Sequence, residues 1–108
     1  MYWLLSNPVA DDYNFSAFEN LKNREYTKSI EDYDKAIELD STDAELYNMR
    51  GIAKSDFFMY NESLADYERA IELDSNVAVY YMNRGYALWR LGDPLGALDD
   101  INLSLIHI

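Results

Sequence analysis

The sequence predicts an all-helical stack of three helix–turn–helix repeats, and three observations carry that prediction. First, the stretch from Asp32 to Ala53 returns as Asp66 to Ala87, offset by 34 positions and without a gap. Second, apolar residues within each copy keep helical spacing, as in Ile30, Tyr33 and Ile37 or Leu64, Tyr67 and Ile71, with no strand-like alternation beside them. Third, apolar residues make up 49% and aromatics 15% of the 108 residues. That is more than a disordered tail carries, even at a formal net charge of −11, so the chain packs as one unit.

The elements follow in order from this frame. Tyr33, Ala36, Ile37, Tyr47, Arg50 and Gly51 each recur as the same residue type at their number plus 34. Tyr13, Ala17, Tyr26 and Ser29 fall opposite Tyr47, Gly51, Tyr60 and Ser63, so a more divergent first copy begins at Ala10. The chain divides into copies 10–43, 44–77 and 78–108, and each holds two helices. They are expected at 10–23, 27–40, 44–57, 61–74, 78–91 and 94–107. Thr42 with Glu45 has capping-box spacing, Asn61 is placed to cap the second helix of copy two, and Asp93-Pro94 is an N-cap followed by proline at the first helical position. Lys28 with Asp32 and Glu31 with Lys35 are attractive i,i+4 pairs, and Glu62 with Asp66 marks an exposed face. Residues 1–9, with Trp3, Leu4 and Leu5 ahead of Asn7-Pro8, read as an N-terminal extension or the tail of a preceding helix.

These residues resemble the tetratricopeptide repeat, a 34-residue helix pair with the signature W-x2-L-G-x2-Y, A-x3-F and P. The bulky first position is Tyr13, Tyr47 and Tyr81, and the small residue four on is Ala17, Gly51 and Gly85. The later small-x3-bulky pair is Ser29 with Tyr33, Ser63 with Tyr67, and Ala97 with Ile101, followed by Ala36, Ala70 and Ser104. Large rings opposite small residues let two helices approach within about 8–10 Å. The chain departs from the signature at its leucine (Ser16, Arg50, Arg84), its second tyrosine (Asn20, Lys54, Leu88) and its proline (Ser41, Ser75). The resemblance implies a right-handed superhelical stack, an α-solenoid, whose first helices line a groove for a partner's peptide or helix. The implied groove positions are Asn14, Phe18 and Leu21, then Asn48, Ile52 and Ser55, then Met82, Tyr86 and Trp89. Asn14, Asn48 and Asn83 offer amides to a ligand backbone or stand solvated. Some family members grip the C-terminal carboxylates of heat-shock chaperones with a clamp of Lys, Asn and Arg. The matching positions here are Asn14, Phe18, Met49, Val79 and Asn83, so the chaperone clamp is expected to be absent.

Other chemistries find little footing. Without cysteine there is no disulfide, thiolate metal site or thiol nucleophile. Nine basic against 20 acidic residues disfavour nucleic acid and favour a basic or apolar protein partner. The apolar run Tyr2-Trp3-Leu4-Leu5 is far short of the ~20 residues of a membrane-spanning helix, which leaves a cytoplasmic location as the default. Glu31-Asp32-Asp34 and Asp99-Asp100 read as solvated helix faces, and His107 has no second ligand at helical spacing. Neither enzymatic activity nor a metal or other cofactor is expected.

Two apolar features remain. Phe57-Phe58-Met59 occupies the turn inside copy two, and copy three stops at Leu103-Ser104-Leu105-Ile106-His107-Ile108 with no further helix to cover it. Net charge falls along the copies from −6 to −4 to −1. An alternative to groove binding is therefore homo-oligomerisation through apolar ends, with Trp3, Leu105 and Ile108 at the interface. On either reading the ends are continued by further repeats or covered by another surface.

Overall fold

The computed structural model describes residues 8–108. Its six helices are α1 (Pro8–Lys22), α2 (Tyr26–Leu39), α3 (Ala44–Asp56), α4 (Tyr60–Leu73), α5 (Ala78–Arg90) and α6 (Pro94–Ile106). Helices pair within each copy, α1 with α2, α3 with α4 and α5 with α6, and α2–α3 and α4–α5 contacts join the copies. The stack measures 50 × 28 × 19 Å. Helix bounds lie within two residues of the sequence expectation. The largest difference is α1, which starts at Pro8, where a fixed φ suits the first helical turn. Residues 8 and 9 thus belong to copy one's first helix, while Trp3, Leu4 and Leu5 lie outside the described residues.

The turn between the helices of each copy is built the same way three times. Arg24, Phe58 and Gly92, each 34 residues apart, take positive φ of 62°, 64° and 86°. The residue after each sends its N–H back to Asn20, Lys54 or Leu88, so the left-handed residue closes the helix end. Only copy three places glycine there. Two expected caps are corrected. Asp43, not Thr42, caps α3 by accepting from the Glu45 N–H, while the Thr42 hydroxyl turns back to Asp40. Asn61 lies inside α4, whose N-cap is Met59 with no side-chain bond. Asp93 caps α6 as expected, accepting from the Gly96 N–H at 2.9 Å.

Large rings meet small residues in the interior. A Cβ added to Gly51 would lie 2.6 Å from the Tyr67 ring, closer than real side chains approach, so glycine here is a packing requirement. Ala17, Tyr33, Ala36, Ile37 and Leu46 form the core where copies one and two meet, with Tyr13, Tyr47 and Met49 packed against it. The Tyr47 and Tyr81 hydroxyls donate to the carbonyls of Ser41 and Ser75, tying each copy to the connection before it.

The carboxylates expected on solvated faces are corrected most. Asp66 is buried and holds Arg50 Nε at 3.0 Å, Arg50 Nη2 at 2.6 Å and Lys54 Nζ at 3.0 Å. Asp100 is also buried and takes Arg84 bidentately at 2.9 and 2.8 Å. Asp32 accepts from Ser16 Oγ at 2.7 Å and Asn20 Nδ2 at 3.0 Å. Each aspartate thus cements the two helices of its copy by reaching a donor 16 residues earlier. The pairs expected for Lys28 and Lys35 do not form; Lys28 bridges Glu25, and Lys35 lies over the Tyr13 ring.

Candidate functional site

Among the described residues, clefts open along the first helices, and two of them bear on function. The first, about 420 Å³, lies between α1 and α3 and is lined by Asp11, Asn14, Phe15 and Phe18 of α1, Glu45 and Met49 of α3, and Tyr33 of α2. Positions 11, 14, 15 and 18 share one face of α1 by helical spacing, so their side chains converge on the same opening. Glu45 is held in place because its carboxylate accepts from the Tyr80 hydroxyl at 3.2 Å. Burial, and after it the Glu45 charge, push the Tyr33 hydroxyl up to about 12. The same causes push Tyr80 up to about 12.

The second cleft, about 370 Å³, is walled by Met82, Gly85, Tyr86 and Trp89 of α5 and by Ala97 and Ile101 of α6. Trp89 is 59% exposed, and Met82 and Tyr86 are exposed beside it. Ring contacts run from Phe58 to Tyr60, from Tyr60 to Tyr86 and from Tyr86 to Trp89, each with centroids 6.3 Å apart. Arg90 lies over Tyr60 at 5.2 Å. The remaining turn aromatic, Phe57, packs on Tyr26 at 5.8 Å.

The nine groove positions do not form one continuous surface. Asn14 and Phe18 line the first cleft, and Met82, Tyr86 and Trp89 line the second. Leu21 and Ile52 are half-buried. Asn48 and Ser55 are buried, contrary to the exposed lining expected of them. Asn48 accepts from Asn83 Nδ2 at 2.9 Å, and Ser55 is hydrogen-bonded with the Tyr67 hydroxyl. The Asn48–Asn83 pair spans α3 and α5 and engages both amides with each other. Copy three has no such neighbour beyond it among the described residues, so Met82 and Trp89, which correspond to Asn48 and Ser55, stand open. Leu105 and Ile108 are also exposed, while Trp3 lies outside the described residues. Reasoning from sequence named Met49 only as a clamp position, and it missed Asp11, Phe15, Tyr33 and Glu45 in the first cleft and Ile101 in the second. The α1 residues carried a signal, since Asp11, Phe15 and Phe18 lie within one helical turn of Asn14.

Among the described residues no group of acidic or histidine side chains is arranged to hold a metal ion, and no helix is long and apolar enough to cross a membrane. The family model for the TPR repeat matches residues 22–55 and 59–92, more than half of the chain. The chain belongs to the TPR repeat family. Each matched TPR span runs from the second helix of one copy through the first helix of the next. Solved TPR domains superpose closely. The second TPR of Spaghetti (RPAP3), bound to the HSP90 peptide SRMEEVD, is 27% identical with a TM-score of 0.88, over 93% of each chain. The Arabidopsis OM64 TPR domain gives 0.90 at 21% identity, over 93% of this chain and 83% of that one. The TPR2B domain of yeast Sti1, in a complex with pHsp70, gives 0.88 at 21% identity, over 91% and 78%. No curated protein sequence matches the chain. The departures from the TPR signature have a structural account in two copies. Arg50 with Lys54, and Arg84, replace apolar signature residues, and each set is neutralised by a buried aspartate on the second helix of its copy.

Proposed function

We propose that this TPR chain is a non-catalytic protein–protein interaction module that docks an extended peptide or a helix of a partner along its first helices. The observation that carries the reading is the cleft at Met82, Tyr86 and Trp89, an apolar opening whose large side chains are exposed rather than packed inside. Exposed Trp and Met are favoured anchors at interfaces. Burying one such side chain contributes about 1.5–3 kcal/mol, so two or three anchors suffice for a micromolar complex after the costs of association. The peptide-bound Spaghetti and Sti1 domains support this mode of binding. The acidic peptide SRMEEVD of the Spaghetti complex does not suit this chain, which has Asn14, Phe18, Met49, Val79 and Asn83 at the clamp positions and a net charge of −11. A basic or apolar peptide is the better match.

The test is selection from a random nine-residue peptide library displayed on phage, using the full chain as bait. Phe18→Ala and Trp89→Ala should each weaken the selected peptides about tenfold or more. Peptides that bind both variants as well as the parent would refute the groove.

A second reading, homo-oligomerisation, is favoured by the apolar end at Ile101, Leu105 and Ile108. The opposite face offers poor complementarity to it. Leu46 with Ala53, and Tyr80 with Ala87, are buried in α3 and α5, yet the matching α1 residues are Asp12 and Glu19. Two copies would therefore meet through the same end, where the charge is lowest. Light scattering across a concentration series checks this: a dimer that dissociates with Leu105→Glu supports it, and a monomer of 12.6 kDa throughout excludes it.

A further inference from the structure

The α1–α3 cleft is chemically unlike the rest of the groove. Asp11 and Glu45 place two carboxylates on it, and among the described residues no lysine or arginine pairs with either. Phe15, Phe18 and Met49 supply apolar walls. Tyr33 also lines it, fully buried, and its hydroxyl is the buried side-chain oxygen without a hydrogen-bond partner among the described residues. An unmet buried polar group is disfavoured by about 1–3 kcal/mol, so its retention calls for a reason.

The repeat supplies an internal control. Tyr67 stands 34 residues on from Tyr33, and its hydroxyl is hydrogen-bonded with Ser55, whereas Leu21 occupies the Ser55 position in copy one. The Tyr67 ring also sits where a Cβ on Gly51 would lie, and copy one has that Cβ on Ala17. Tyr33 cannot take the Tyr67 position, and the charged neighbour acting on its hydroxyl is Glu45 across the cleft. The second junction lacks these features. Val79 replaces Glu45 there, and the Asn48–Asn83 bond spans the gap.

We propose that the cleft formed by Asp11, Phe15, Phe18, Tyr33, Glu45 and Met49 is a pocket for one cationic side chain, arginine or lysine, of a peptide partner. The head group donates N–H bonds to the Asp11 and Glu45 carboxylates and to the Tyr33 oxygen. The aliphatic stem lies against Met49 and the two phenylalanine rings; Lys22 already lies over the Phe18 ring at 5.1 Å, so the face that attracts the cation is that of Phe15. Acidic side chains are repelled, and neutral apolar ones leave the Asp11 carboxylate and the Tyr33 hydroxyl without a partner. The Tyr80 bond holds Glu45 in place before the ligand arrives. This pocket deepens the groove reading above and rests on it.

The experiment uses the full chain and the same phage library. Arginine or lysine should be enriched at one position of the aligned peptides. A synthetic selected peptide should lose about tenfold in affinity when that residue becomes norleucine, and again about tenfold against Glu45→Gln. Tyr33→Phe should weaken it about threefold while leaving the melting temperature unchanged or raised, since only an unmet hydroxyl is removed. Glu38→Gln removes an equal charge from the exposed face of α2 and should leave binding unaltered. Apolar enrichment alone, or equal losses with Glu38→Gln and Glu45→Gln, overturns the pocket and leaves the groove standing. No selection above bare support overturns both.

Discussion

Truncating each of the three buried or half-buried aspartates to alanine should destabilise the chain in a fixed order, Asp66 above Asp100 above Asp32. Asp66 has a side chain only 4% exposed, and its removal strands two cations, Arg50 and Lys54, whose side chains are 19% and 16% exposed. Breaking a buried pair costs about 3–5 kcal/mol. Arg50 keeps Asp34 at 2.9 Å, but that carboxylate is half exposed and recovers at most about 1 kcal/mol, so about 3 kcal/mol is expected for Asp66→Ala. Asp100 serves a single guanidinium, itself 23% exposed and better able to reach water, which gives about 2 kcal/mol. Asp32 bonds only neutral donors, and its loss is worth about 1 kcal/mol. At about 4–8 °C per kcal/mol, Asp66→Ala should lower the melting temperature by roughly 12–24 °C. Urea unfolding followed by circular dichroism at 222 nm ranks the three variants. Equal losses, or the largest at Asp32, would show that the helix pairs do not depend on these carboxylates.

Four further outcomes follow from the geometry. Gly51→Ala drives a methyl into the Tyr67 ring, costing about 1–3 kcal/mol against about 1 kcal/mol of helix propensity gained, a net loss of up to about 2 kcal/mol; a raised urea midpoint would contradict the close approach. Phe58→Gly, at φ 64° and 74% exposed, should raise stability by about 0.5–1 kcal/mol, and Gly92→Ala, at φ 86° with open space around it, should lower it by about 1 kcal/mol. The same denaturation curves check both, and a loss for Phe58→Gly would overturn the account of the turn. Tyr33 and Tyr80 hold their protons up to about pH 12, while an unfolded tyrosine releases it near its ordinary value of 10.0. Between those values the unfolded state binds fewer protons, so stability must fall as pH rises. Tyr33→Phe should flatten that fall, and an unaltered alkaline transition would argue against the burial of its hydroxyl.

The distribution of charge explains why the site was less legible than the fold. Arg50, Lys54 and Arg84 look like surface residues in a linear reading, and Asp66 and Asp100 look like solvated faces. They become a buried series only when the two helices of a copy lie side by side and bring residues 16 apart into contact. The nine groove positions divide for a similar reason. Helical spacing places Asn48 and Met82 on equivalent faces, but α5 reaches over the first, through Asn83, and no described helix covers the second.

What the sequence determined by itself was the local order: six helices, their turns and the sizes that alternate along them. Those depend on interactions a few residues long, repeated every 34 positions with little change. Tertiary structure decided which polar groups have partners and which apolar ones stay open. Tyr33 and Tyr67 share one place in the repeat, yet Leu21 and Ala17 surround the first where Ser55 and Gly51 surround the second. The same residue type is therefore satisfied in one copy and unmet in the other, because hydrogen bonding and burial depend on what a neighbouring helix brings within a few ångströms.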